Sequence, residues 1–167
     1  PCEDWSTMEK LAKEKEAVGI YISGHPLDDY KFEMKYFCNA KLESLKNLEQ
    51  HLGKNLSFGG IVTNVQHRTA KNGKGWATFV LEGYDESYEF RIFDEEYLKY
   101  RHFLLQNQFV YFKINVKEGW VNRETGKKSD PRIQFLDAKM LADVLPTFAK
   151  KLFIHLDIKD LHSNFVT

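Results

Sequence analysis

The residues from Leu56 to Leu141 constrain this chain most, because their apolar side chains recur at alternate positions through successive short segments. Such a period of two is the mark of strands with one buried and one solvated face. The clearest segment places Val110, Phe112, Ile114 and Val116 on one side and Tyr111, Lys113, Asn115 and Lys117 on the other. An earlier one sets Ala77, Phe79 and Leu81 against Trp76, Thr78, Val80 and Glu82. Another sets Tyr88, Phe90 and Ile92 against Glu89, Arg91 and Phe93. The stretch DEEYLKYRHFLL then begins with Asp94, a good N-cap type, and places acids where a helix dipole favours them.

The order is therefore strand, strand, strand, helix, strand, strand. That is the order of an OB-fold, a small, partly open barrel that binds single-stranded nucleic acid or oligosaccharide in many of its members. The chain reads as mainly β, a five-stranded OB-fold barrel with a helical N-terminal extension. Its 13 Phe and 8 Tyr suit a barrel small enough to be filled by its own side chains. Gly59 and Gly60 interrupt the first strand and predict a sharp coil or bulge there.

Before the barrel, residues 6 to 18 read as a short helix, with Ser6 and Glu9 in capping-box spacing. An elbow around Ser23-Gly24-His25-Pro26 follows, since a residue before proline is pushed out of the helical region. A second helix is expected from Leu27 to about Phe37, and a weaker segment from Leu42 to Leu52. The expected organisation is a helical lead-in at 1–55, the OB domain at 56–145, and a linker with the start of a further domain at 146–167. In that tail, LFIHLDI alternates like a strand but has nothing left to pair with. The first residue is Pro1 rather than Met, which suggests a piece of something longer.

The elbow segment EKEAVGIYISGHPLDDY, followed by FGGIVTNVQHRTAKNGKGWATFVLEGYDESYEFRIFDEEY, closely resembles part of the bacterial DNA polymerase III alpha subunit. The resemblance runs to about Leu141 and covers most of the chain; its Gly-Ile-Tyr-Ile-Ser-Gly-His-Pro-Leu run is a specific match. It implies a C-terminal portion of a replicative polymerase, whose OB domain lies near the path of the single-stranded template. The polymerising carboxylates of that family sit in a palm domain far upstream, which this chain does not contain. The parent thus resembles a DNA-directed DNA polymerase, a nucleotidyltransferase, while this stretch carries no catalytic residues. The resemblance also implies other replisome subunits as partners, through a C-terminal domain starting near the tail.

Formal net charge is zero, so no global field draws the chain to nucleic acid, and binding must rest on local patches. Two loops supply them. RTAKNGKGW holds Arg68, Lys71, Asn72, Lys74 and Trp76 with no acid among them. GWVNRETGKKSDPR holds Trp120, Arg123, Lys127, Lys128 and Arg132. These connect strands one to two and four to five, the loops an OB-fold uses for oligonucleotides, and Arg91 on the outward face of strand three adds a contact. Lysine and arginine meet phosphates, and tryptophans offer flat partners to bases. The bland alternative is that the lysine-rich loops are simply solvated, that Glu89 neutralises Arg91, and that both tryptophans pack on the rim. Sequence preference is expected to be weak.

Other chemistries find little support. His25 reads as a structural elbow residue bonded to nearby backbone. The remaining histidines and the two cysteines, Cys2 and Cys38, lack metal-ligand spacing, so neither metal nor cofactor is expected. The acids at 28–29, 85–86 and 94–96 fit helix starts and a hairpin turn. Free thiols and the lack of a secretory leader point to the cytoplasm, and no apolar run is long enough for a membrane span. A second class of function stays open: a protein-interaction module using Phe93, Phe109 and Tyr111 as an exposed apolar strip.

Overall fold

The structure, a computed structural model, describes residues 5, 7–19, 21–121, 126 and 128–151. Strands β1 (Asn55–Thr69), β2 (Gly75–Glu82), β3 (Ser87–Phe93), β4 (Phe109–Lys117) and β5 (Arg132–Met140) form one antiparallel sheet in the order β3-β2-β1-β4-β5. Helix α3 (Asp94–Tyr100) lies between β3 and β4, as the sequence pattern requires. The long β1 serves both halves, pairing from Asn55 to Ile61 with β4 and from Ile61 to Thr69 with β2.

The two glycines of β1 do not make the expected bulge. The ladder to β4 runs through Gly59 and Gly60 without a break, and the register shifts later, between Thr63 and Gln66, where Asn64 has φ 49°. Close approach is the reason for glycine here. A Cβ on Gly59 would sit 2.3 Å from Met34 Sδ, and one on Gly60 would sit 2.7 Å from the Glu82 carbonyl oxygen.

The inward residues of all five strands meet in one aromatic core. Phe79 stacks on Phe90 at 5.3 Å, and Phe112 meets Phe135 edge-on at 5.5 Å. Phe90 of β3 and Phe135 of β5 touch edge-to-face at 5.7 Å, so the sheet coils until its two outer strands face each other. Among the described residues no backbone ladder joins β3 to β5, and the sheet stays open there, OB-like rather than fully closed. Side chains of α3 attend the β5 edge instead. Tyr100 Oη donates to the Leu136 carbonyl at 2.6 Å, and the Glu96 carboxylate accepts from the Phe135 amide. Asp94 is not the N-cap: Phe93 takes that position, and Asp94 begins the helix with φ 50°. Its carboxylate turns to Lys74 rather than back onto the first turn.

The N-terminal part folds as α1 (Thr7–Val18), a 3-10 turn (Pro26–Tyr30), α2 (Lys31–Tyr36) and a 3-10 segment (Leu42–His51). Ser6 of the expected capping box lies outside the described residues. The single helix expected over 27–37 is split, because Tyr30 has φ −114° and ψ 20°, off the helical path. The elbow is closed by its own polar groups: His25 Nδ1 accepts from the Leu27 amide at 3.1 Å, and Asp28 Oδ2 accepts from the His25 amide at 3.2 Å. Tyr84 Oη donates to the Leu27 carbonyl at 2.9 Å, tying the elbow to the β2–β3 turn. In that turn Glu86 accepts from the amides of Leu42 and Glu43, a cap supplied from distant sequence.

Leu27 is buried with Ile61, Tyr111, Leu141 and Val144 in a second cluster on the outer side of β1 and β4. Helix α4 (Leu141–Phe148) closes it, crossing residue 145 with Pro146 inside. The exposed apolar strip is therefore corrected: Tyr111 is 5% exposed and Phe109 packs on Tyr30 at 5.1 Å, leaving only Phe93 open. The alternating tail segment at 152–158 lies outside the described residues. No helix among the described residues is long and apolar enough to cross a membrane.

Candidate nucleic-acid interface

Pleating places Trp76 and Phe93 on the outer face, because their neighbours Ala77 and Ile92 point into the core and are fully buried. The ladders set Arg68 opposite Trp76, and Trp76 opposite Phe93. The three side chains form one row across β1, β2 and β3. The Arg68 guanidinium lies 5.4 Å from the Trp76 ring, whose plane stacks on Phe93 at 5.7 Å and 19°. Gln66 Oε1 accepts from Arg68 Nη2 at 2.6 Å and holds it over the indole. Phe93 is 51% exposed, so the row ends in an open aromatic face.

The β1–β2 turn stands at the end of this row. Gly73, at φ 81°, donates its amide to the Ala70 carbonyl at 2.9 Å, and Asn72 Oδ1 accepts from the Lys74 amide at 3.1 Å. Asn72 thus shapes the turn. Lys71 projects into solvent at its tip. Lys74 Nζ lies 3.0 Å from Asp94 Oδ2.

Phe93 also lines a groove of about 870 Å³ at the opening between β3 and β5. Four of the expected residues meet there: Lys74, Arg91, Trp120 and Arg132. Trp120 is 70% exposed, with the Arg132 guanidinium 4.3 Å from its ring. The groove is not a cationic trough. Lys74, Arg91 and Arg132 share it with Glu89, Asp94, Glu95 and Glu96. Arg91 Nη2 lies 3.5 Å from Glu89 Oε1, as the bland alternative foresaw. Burial pushes the Glu96 carboxyl above its ordinary value, against the opposing pull of the Phe135 amide and Arg132.

Lys128 lies apart from the groove, pairing with Glu118 at 3.1 Å beside a short bridge between Val121 and Lys128. Arg123 and Lys127 lie outside the described residues. Sequence reasoning placed Phe93 outward on its strand but missed it as a stacking surface, because its position on Trp76 is set by strand register. Glu89 beside Arg91 was legible in the sequence, two positions away on one strand face, whereas Asp94 beside Lys74 needed the fold to be found.

Compared with known proteins, the chain matches no family model. It is similar to the DNA polymerase III subunit alpha of Campylobacter jejuni, at 29% identity over 99% of this chain and 14% of that protein. The corresponding protein of Borreliella burgdorferi is 34% identical over 65% of this chain and 9% of its own length. That of Saccharopolyspora erythraea is 29% identical over 72% of this chain and 10% of its own length. The chain spans about a tenth of the curated relatives it matches. Along nearly all of its residues this chain is similar to one stretch of the much larger DNA polymerase III alpha subunits.

Proposed function

We propose that this chain is the OB module of a replicative polymerase subunit and binds single-stranded template DNA without catalysing its extension. The observation that carries this reading is the continuous row Arg68, Trp76, Phe93, running into the groove with Lys74, Arg91, Trp120 and Arg132. An exposed aromatic stack flanked by cations is what a flexible strand of bases and phosphates needs. In this reading residues 56–145 form the binding unit, 1–55 lead in from the polymerase region, and 146–167 lead on toward a domain that meets other replisome subunits. The setting is the bacterial cytoplasm.

The test is fluorescence anisotropy of a labelled single strand of ~20 nucleotides, titrated with this chain at low and moderate salt. A variant with Lys71, Lys74, Lys127 and Lys128 all changed to Ala is titrated in parallel. Salt-sensitive binding, with log affinity against log salt sloping about −2 to −4 and lost in the variant, is the expected result. No binding at low salt would discard the reading. A protein-interaction role is the second reading, and it now rests on different residues: Phe32 and Tyr36 of α2 form a tilted pair, both more than half exposed.

A further inference from the structure

The outer face of β4 and β5, where α2 and α4 meet, is rich in aromatic side chains and stays open. Phe32 and Tyr36 of α2 are exposed, with their ring centres 4.6 Å apart. Phe37 follows, stacked at 5.9 Å on Phe148 of α4, which in turn meets Tyr111 of β4 edge-on at 5.8 Å. Among them runs a groove of about 490 Å³, which Leu136 and Lys113 also line. A contiguous apolar surface left open in this way marks a place where another molecule docks. No residue of the Arg68, Trp76, Phe93 row lines it.

Ring geometry and charge indicate what fits. Phe32 is tilted 43° to Tyr36 and 55° to Phe37, and Tyr111 stands at 62° to Phe148. Rings set at such angles leave notches for single apolar side chains, whereas successive stacked bases need flat open faces. The rim is cationic. Lys35 Nζ lies 5.2 Å from the Tyr36 ring centre, and Lys139 Nζ 5.8 Å from that of Phe148. Lys113 is exposed, and among the described residues neither it nor Lys35 forms an ion pair. Asp137 is the only acid among the described residues lining the groove, and Lys139 already lies 3.4 Å from it.

We propose that this face docks an acidic peptide segment of a partner protein. Apolar side chains of the peptide enter the notches, and its carboxylates meet Lys35, Lys113 and Lys139. Cations beside rings suit that pattern, because the anchor is desolvated among the rings while the flanking charges stay at the wet rim. The same rim repels basic segments, which supplies specificity. The proposal rests on the protein-interaction reading of α2 and deepens it by naming the partner's chemistry. It is separate from DNA binding, whose aromatic row lies on β1, β2 and β3.

The experiment selects binders to the immobilised whole chain from a displayed library of random peptides of ~12 residues. Enriched peptides are synthesised with a label and titrated by anisotropy. Two double variants run beside the unaltered chain: Lys35→Glu with Lys113→Glu, and Phe32→Ser with Tyr36→Ser. All four side chains are exposed, and matching unfolding midpoints show that the variants keep the fold. The expected result is enrichment of peptides that carry several acids around leucine or aromatic anchors. Their affinity weakens with salt and falls at least about tenfold in each variant, while single-stranded DNA binding is unchanged. No enrichment, enrichment of peptides without acids, or affinity that survives in either variant overturns the proposal. So does an oligodeoxythymidine strand that displaces the peptide, which would seat nucleic acid on this face. A dimer of the chain that the Phe32→Ser, Tyr36→Ser variant abolishes would place a second copy there instead. Failure of the unaltered chain to bind DNA strikes only the single-strand reading.

Discussion

The indole of Trp76 lies on the ring of Phe93 with centroids 5.7 Å apart and planes 19° from parallel, although the two belong to different strands. A base stacking on Phe93 would extend that column. Trp76→Ala removes its support and Phe93→Ala removes its exposed end. Each is expected to weaken single-stranded DNA binding by about 1–3 kcal/mol, the range for loss of one stacked base. Anisotropy titration measures it, and unchanged affinity in both variants would move the strand off this face.

The glycines of β1 differ in what surrounds them. Gly59→Ala meets the Met34 side chain, which can swing away, whereas Gly60→Ala meets the backbone carbonyl of Glu82, which cannot. Both substitutions are expected to destabilise, with Gly60→Ala the larger at about 2–4 kcal/mol. Urea unfolding of the two variants checks the order.

Phe135 contacts Phe79, Phe90 and Phe112, holding the two outer strands together where no ladder does. Phe135→Ala is expected to cost about 3–5 kcal/mol. Amide exchange should quicken in β3 and β5 before it does in β1. Uniform loss of protection across the sheet would mean that the opening is not the weak seam.

Burial holds the His25 imidazole below its ordinary value, so the neutral ring persists in the fold and its Nδ1 accepts from Leu27. The unfolded chain binds this proton more readily than the folded one. The resulting stability is fully present above about pH 6.5 and is lost as pH falls through the depressed folded value. Unfolding midpoints measured from pH 7.5 down to pH 5 should fall more steeply for the unaltered chain than for His25→Asn. Parallel curves would show that His25 does not carry the dependence.

The Cys38 thiol is pushed up to about 12, chiefly by burial. Alkylation at pH 8 should therefore leave it unmodified in the folded chain and modify it in urea. Peptide mass mapping reads the two states, and rapid labelling of the folded chain would contradict the burial.

The alternation of Ala77-Phe79-Leu81, Phe90-Ile92 and Val110-Phe112-Ile114 determined which strands form and which way each faces, because pleating is a local property with a period of two. The acid-rich opening of DEEYLKY likewise marked α3, and the turn residues Asn72-Gly73 marked their hairpin. Nothing local could reveal that Tyr111, on the polar-patterned side of β4, is covered by Leu27, Leu141 and Val144, since that cover arrives from both ends of the chain. The same holds for Asp94 beside Lys74, for Glu86 capping Leu42, and for Phe93 upon Trp76: each partner comes from a separate segment that only the tertiary fold brings near. Basic loops were legible in the sequence because charge is a property of single residues. Their neutralisation at the groove was not, because an ion pair depends on the distance between residues that only the coiled sheet brings together.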